Sequence, residues 1–463
     1  MTEDYKVLQI TKRSELRYQA LNHINDIVHS MGHDINEYKL IPETIRPSLA
    51  AKEAKEIHFE RSITISEDDM LLHRKLNKNQ LIAYNMITER IFSNKAGAFS
   101  VDGPGGTGKT FLYRALLATV RSMGYIALAT TTSGVAASIL LGGRTAHSRF
   151  KIPINIYENA SCNISKESSL ASLIRDAKLI VWDEVSIAKK KMLEVFDVLL
   201  KYLMDTNTLF GGKVVVLGGD FRQTLPVMRY GKKEDFISES LLYSSIWNEL
   251  EKLKLSENMR AKTDPAFFDY LLRIGNGQEQ VNSANKIEIS DSLVIPYTTE
   301  KESLDKLFTA TYSNLESLYS NLACLCNGTR LTCCDFKSHV ISARISTGDF
   351  KNMHVFIPRI PLLSSQDEKM PVQFKRTQFP VRLCFAMAIN KAQGQTLDFV
   401  GIYLREPVFS HGQLYVALSR AKSSNCVKLL IRPYFVVALC THFSDMLLRS
   451  LIAVAPFTFE KSM

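Results

Sequence analysis

The chain has 463 residues, 46% apolar and 22% charged, which is room for two or three domains with buried cores and ordinary for a soluble globular protein. Its net charge of +10 favours an anionic partner, nucleic acid first, though charge alone does not distinguish it from a membrane surface. Eight cysteines over this length exclude a disulfide framework, and the charged N-terminus (Glu3, Asp4) carries no apolar signal segment.

Residues 1–70 are charged and weakly patterned, with a helix expected around 16–31 and breaks at Pro42 and Pro47. Leu76-Asn77-Lys78-Asn79-Gln80 opens a helix with apolar positions at Leu81, Ala83, Tyr84, Ile87 and Ile91. Gln80 offers both a donor and an acceptor to an adenine edge, or is a surface glutamine. The run Ala98-Phe99-Ser100-Val101 reads as a strand leading into Gly103-Pro104-Gly105-Gly106-Thr107-Gly108-Lys109-Thr110, and a helical pattern follows. This is GxxxxGK[ST]: the glycines let backbone N–H groups turn around phosphate oxygens, Lys109 reaches the β- and γ-phosphates, and the Thr110 hydroxyl suits Mg²⁺.

A second strand over 125–130 ends in the hydroxyl-rich turn Thr130-Thr131-Thr132-Ser133-Gly134, and Gly143-Arg144-Thr145-Ala146-His147-Ser148 follows. Both suit phosphate contacts or simple loop capping. Residues 151–172 read as a small irregular insertion. The buried strand Lys178-Leu179-Ile180-Val181-Trp182 delivers Asp183 and Glu184 to its C-terminal end, one carboxylate for Mg²⁺ and one to polarise water. Strand 214–217 runs into Gly218-Gly219-Asp220-Phe221-Arg222-Gln223, where Gln223 could sense a γ-phosphate. Strands that end in polar chemistry, with helices between them, define a doubly wound α/β sheet with its site at the strand ends.

Asn258-Met259-Arg260 supplies a further cation, and 276–292 reads as a linker. β-type runs at 339–345, 353–357 and 372–374 among Gly348, Pro358 and Pro361 suggest a small β-rich module. A second α/β unit follows, with Gln393-Gly394-Gln395-Thr396, the apolar helical run Tyr415-Val416-Ala417-Leu418-Ser419-Arg420, and a strand at 427–431. Arg420 is costly among apolar residues without a partner, and a triphosphate would be one. The Cys324, Cys326, Cys333 and Cys334 cluster lacks zinc-site spacing, so no zinc is expected. Residues 435–457 are fairly apolar but include His442, Asp445 and Arg449, which reads as a buried or amphipathic helix and not a membrane span.

In order and content these motifs resemble those of the Pif-type DNA helicases, in the RecD-like branch of superfamily one, nearest to forms carried by plant Helitron-like transposons. The resemblance covers residues 76–433, most specifically 103–110, 134–150, 181–186, 218–226, 327–331, 389–397 and 411–420. It implies an α/β P-loop NTPase with two RecA-like parallel-sheet domains and a small SH3-like β module inserted in the second. The segments would be an accessory arm (1–70), a first RecA-like domain (71–275), a linker with a shortened start of the second (276–327), the SH3-like insertion (328–385), the rest of the second domain (386–433) and a tail (434–463).

The resemblance also implies a 5′-to-3′ translocase on single-stranded DNA that uses ATP and Mg²⁺. Gln80 would contact adenine, the 103–110 loop would hold phosphate, and Thr110 and Asp183 would hold the metal. Glu184 would be the catalytic base and Gln223 would couple γ-phosphate to DNA. Arg260 and Arg420 would stabilise the transferring phosphoryl group, and Thr131, Thr145, His147 and Thr396 would lie on the DNA track.

The sequence departs from the family near Ser320-Asn321, where a long stretch with a core strand is normally present. Ala388 and Ala392 stand where hydroxyl residues are usual, and the tail after Pro433 matches nothing in the family. The expected function is an ATP-dependent helicase in recombination, repair or telomere maintenance, acting on single strands, junctions or forks as a nuclear monomer without membrane association. The alternatives are a degenerate relative that binds ATP and single strands without unwinding, and a P-loop NTPase unrelated to nucleic acid. Nuclear residence rests on the resemblance, since Lys189-Lys190-Lys191 is short for a localisation signal.

Overall fold

Residues 97–254 alternate short apolar runs with helices, and the runs pair into one six-stranded sheet. The strands are β1 (Gly97–Asp102), β2 (Ile126–Thr131), β3 (Arg144–Thr145), β4 (Ala177–Asp183), β5 (Val214–Gly219) and β6 (Glu251–Lys254), in the order β3-β2-β4-β5-β1-β6. Every neighbouring pair is parallel. The computed structural model describes residues 57–453 except 138, 154–160, 225, 227–232, 281–286, 288, 312–330, 346–353, 364–374, 380, 382–385, 406, 407, 409–411 and 433–449. The helix expected at 16–31, the departure near Ser320-Asn321, Cys324, Cys326 and the β-run at 372–374 lie outside the described residues.

The central strands are apolar without alternation because both faces are covered. Successive side chains point to opposite faces, so Leu179 and Val181 join Phe99 and Val216 in one core, while Ile180 and Trp182 join Val215 and Leu217 in the other. On the second face Phe196 lies 4.5 Å from Phe150 and edge-on to Trp182 at 5.3 Å, ring centre to centre. Three of the covering helices are α1 (Lys78–Phe92), α2 (Lys109–Ser122) and α3 (Lys190–Met204). Asn77 and Gln80 form a reciprocal capping box that fixes the start of α1. The insertion expected over 151–172 contains the start of a helix, Ser169–Asp176, capped by the Ser168 side chain.

Beyond this sheet, α4 (Pro265–Gly275) starts at the Asp264 cap, and β7 (Val294–Ile295) and α5 (Glu300–Thr311) lead into the second half. The chain divides into two compact units. Among its described residues one holds five short strands: β8 (Leu331–Phe336), β9 (Val340–Ile345) and β10 (His354–Pro358) form an antiparallel sheet, and β11 (Ile360–Leu363) pairs with β12 (Lys375–Gln378). Ile341, Ala343, Val355 and Ile357 are its core.

The other unit holds the six-stranded sheet and a second sheet made of β7, β13 (Ala386–Ala388), β14 (Val400–Leu404), β15 (Val427–Ile431) and β16 (Ser450–Ala453). Its order is β13-β16-β14-β15-β7, with β14, β15 and β7 mutually parallel where they pair. A helix, α6 (Gln413–Leu418), joins β14 to β15. No helix among the described residues is long and apolar enough to cross a membrane.

Two sequence expectations change here. Residues 450–453, inside a segment read as helical, are a strand that runs antiparallel between β13 and β14. A strand edge leaves a row of N–H and C=O groups that another segment can satisfy, and the tail does so. Arg420 is not in the helix: α6 ends at Leu418, and Arg420 follows the Ser419 cap. Deleting residues 434–463 is therefore expected to open both edges and cost about 3 kcal/mol, at about 1 kcal/mol per backbone hydrogen bond. Urea denaturation of the deleted and full-length chains checks this; equal midpoints and slopes would refute the role given to β16.

Candidate active site

The P-loop turns between β1 and α2. Gly108, in the left-handed region at φ 77°, is the N-cap of α2. A Cβ there would lie 2.4 Å from Gln80 Nε2, so this position needs glycine for both its backbone and its neighbour. Gln80 is buried, which disposes of the surface reading. Its Oε1 accepts from Asn77 N at 3.0 Å and its Nε2 donates to Thr107 O at 3.0 Å, so it ties the start of α1 to the loop. Asn258 Nδ2 donates to Gly105 O at 3.1 Å and Met259 N donates to Gly106 O at 2.8 Å. Thr107 Oγ1 donates to Pro104 O at 2.9 Å. Lys109 Nζ donates to Gly103 O, and Thr110 follows in the first turn of α2.

The C-terminal ends of β1, β5 and β4 are neighbours, so Asp183, Glu184 and Asp220 face the same crevice as the loop. Asp183 Oδ1 accepts from Glu184 N at 2.8 Å. Burial, with the Glu184 charge adding to it, pushes the Asp183 carboxyl up to about 7. Burial also raises Glu184, while Lys109 and Arg420 pull it back. Glu184 has φ 54°, a left-handed backbone that is uncommon outside glycine. Its Oε2 is buried without a hydrogen bond among the described residues. Two adjacent buried carboxyls, both raised by burial and one with an unsatisfied oxygen, suit a hard divalent cation with oxygen ligands. Asp183 would supply such an oxygen, and Thr110 lies in the first turn of α2 after the loop.

The opposite wall comes from the connections between strands of the second sheet. Arg420 is fully buried, its Nε donating to Val416 O at 2.9 Å and its Nη1 to Gln395 O at 3.2 Å. Arg260 donates to Ser419 O, and its Nε to Thr396 Oγ1 at 3.0 Å. Gln223 Nε2 donates to Asp220 Oδ2 at 3.3 Å, and Gln393 Nε2 donates to Gln223 Oε1 at 3.2 Å.

The residues expected on a DNA track fall into two places. Thr131 pairs in register with Thr145 on one side and Asp183 on the other. Thr131 Oγ1 donates to Ser133 O at 2.6 Å, and Thr145 caps the helix Ala146–Phe150 by accepting from Ser148 N. His147 Nδ1 bonds Ile152 O at 2.9 Å. Thr396 is exposed beside Arg260 in the crevice. The loop-capping reading thus describes Thr145 as it stands.

A model of the PIF1-like helicase family matches residues 75–285, the stretch from α1 through the P-loop, Asp183-Glu184 and Arg260. The ATP-dependent DNA helicase PIF1 of Danio rerio is 26% identical over 425 residues, covering 82% of this chain and 64% of its own length. The ATP-dependent DNA helicase Pif1 of Bdellovibrio bacteriovorus is 26% identical over 383 residues, covering 71% of this chain and 83% of its own. Over these stretches the chain is similar to PIF1-like helicases. The crystal structure of Bacteroides Pif1 bound to single-stranded DNA shares the fold, with a TM-score of 0.54 at 23% identity over 76% of this chain and 92% of that one.

Sequence reasoning missed Tyr415, the role of Asp220, and Glu60. Tyr415 carries a faint signal: a hydroxyl inside an apolar helical run needs a buried partner. Glu60 carries none, since it sits in a charged segment that reads as solvated. It is instead buried against Arg149, Oε1 to Nη1 2.6 Å, and Arg121, Oε2 to Nη2 3.5 Å.

Proposed function

We propose that this chain is an ATP-dependent 5′-to-3′ DNA helicase that couples ATP hydrolysis to translocation on single-stranded DNA and unwinding at junctions or forks. We assign it to recombination, repair and telomere maintenance in the nucleus, acting as a monomer. The observation that carries the reading is the crevice itself. Lys109 and the carboxylate pair come from one sheet, Arg420 from the other, and the Glu184 carboxyl feels the charges of Lys109, Arg420 and Arg260 together.

In this reading Gln80 holds the loop and reads adenine, the backbone of 103–110 cradles phosphate, and Lys109 leaves Gly103 O for phosphate oxygen. Thr110 and Asp183 would hold Mg²⁺, which would neutralise phosphate charge. Glu184 positions and polarises the attacking water. Arg260 and Arg420 balance charge on the transferring phosphoryl group. Gln223, bonded to Gln393 between β13 and β14, relays that event to Thr131, Thr145, His147 and Thr396 on the strand.

The second reading is a relative that binds ATP and single strands without unwinding, favoured by the departure from family pattern near Ser320-Asn321. ATP hydrolysis with and without single-stranded DNA, beside Lys109→Ala, separates them. The helicase reading expects strong stimulation by DNA and a loss of about 10²-fold or more in the variant. Slow turnover indifferent to DNA would leave the second reading.

A further inference from the structure

Helix α6 is pressed onto the first lobe at two points. Its N-cap, Gly412, has φ 75°, and a Cβ there would lie 2.4 Å from both Arg222 O and Gln223 O. One turn on, the Tyr415 ring packs against Gly275, and its hydroxyl lies between two groups of the first lobe. Gly105 N donates to Tyr415 Oη at 2.8 Å, and Tyr415 Oη donates to Asp220 Oδ2 at 2.9 Å. Both bonds are buried. Burial and the Asp220 charge hold the phenol protonated, so it can donate. Asp220 Oδ1 in turn accepts from Arg222 N and Arg222 Nη1, each at 3.2 Å.

We propose that Tyr415 is a positioning residue that acts as a nucleotide-displaceable latch between the P-loop and residues 220–223. A backbone amide has one proton to give. While the Gly105 N–H donates to the phenol, it cannot donate to a phosphate oxygen, so phosphate and Tyr415 compete for the same group. Phosphate that takes the amide releases Tyr415, and with it one of the groups that hold Asp220. Asp220 Oδ2 also accepts from Gln223, so arrival of nucleotide at one end of the relay loosens the segment that faces Gln393, between β13 and β14. The latch rests on the nucleotide-site reading above and adds to it a device that keeps the site unready until ATP displaces a side chain of the opposite lobe.

Tyr415→Phe keeps the ring and removes both hydrogen bonds. Titration of a fluorescent ATP analogue without DNA is expected to show affinity three- to tenfold tighter in the variant, since one competing hydrogen bond is removed. ATP turnover without DNA is expected to rise, so that the ratio of DNA-stimulated to basal rate falls at least threefold. A hydroxyl that merely pins the loop in its binding shape predicts the opposite sign. Equal or weaker affinity in the variant, including loss of binding through misfolding, would overturn the latch while leaving the nucleotide site intact in the wild-type chain. No binding by the wild-type chain would overturn both.

Discussion

Glu184→Gln is expected to slow ATP turnover by about 10²–10⁴-fold while leaving the affinity for ATP within a few-fold. Gln fills the same space and accepts one hydrogen bond, but it cannot draw a proton from water. The structure concentrates the demand on this group. Glu184 is held with φ 54°, follows Asp183 at the end of β4, and faces Lys109 and Arg420 across the crevice. A left-handed backbone at a non-glycine residue costs on the order of 1–2 kcal/mol and persists where the surroundings over-determine it. The substitution retains that backbone and removes a buried charge, so thermal stability is expected to hold or rise. Steady-state hydrolysis and equilibrium nucleotide binding, measured on the same preparation, check both halves. Turnover within tenfold of wild type would remove Glu184 from the base role, and a collapse of stability would assign it to the fold.

Glu60→Ala is expected to destabilise the first lobe by about 3–5 kcal/mol, the cost of leaving buried charge without its partner. The carboxylate sits in the helical stretch 57–62, upstream of the region matched by the family model, with its side chain 1% exposed. Arg121 and Arg149 face it with side chains 3% and 0% exposed. Both also donate to backbone: Arg121 Nη2 to Ala127 O at 2.8 Å, Arg121 Nη1 to Leu141 O at 2.8 Å, and Arg149 Nη2 to Gly142 O at 2.7 Å. Burial lowers the Arg121 pKa to about 10 and the Glu60 charge opposes that fall, so removing the carboxylate leaves two like charges in one dry site. The three carbonyls bracket the segment that leads to Thr145 and His147, and it is expected to loosen with them. Urea denaturation gives the stability, and limited proteolysis between 140 and 150 gives the local effect. A loss under 1 kcal/mol would mean that the two arginines are neutralised elsewhere.

The first lobe was legible because its signals are local. The strand, glycine loop and helix around Lys109 are set by hydrophobic period and by backbone angles that only certain residues adopt, all within about twenty residues. The same holds for the apolar run that ends in Asp183-Glu184, and for β5 and β15, whose observed starts at Val214 and Val427 are where the residue pattern changes. Their convergence into one crevice follows from parallel strands with helices between them, a topology that brings strand ends to one side. Gln80 was legible as a candidate and not as a buried brace, because burial of α1 depends on what packs over it.

What the sequence by itself determined was the chemistry available: a phosphate loop, a carboxylate pair at a strand end, arginines and hydroxyls in a family-like order. Tertiary structure alone decided which of them meet. Tyr415 reaches Gly105 across 310 positions of chain, Glu60 finds Arg149 from a segment without apolar pattern, and the tail strand at 450–453 completes a sheet whose other members lie upstream. A residue's period and backbone preference are properties of its neighbours in sequence. The partner that satisfies a buried charge, a phenol or an open strand edge is fixed by sheet register and domain packing, which emerge only when distant segments have closed on one another.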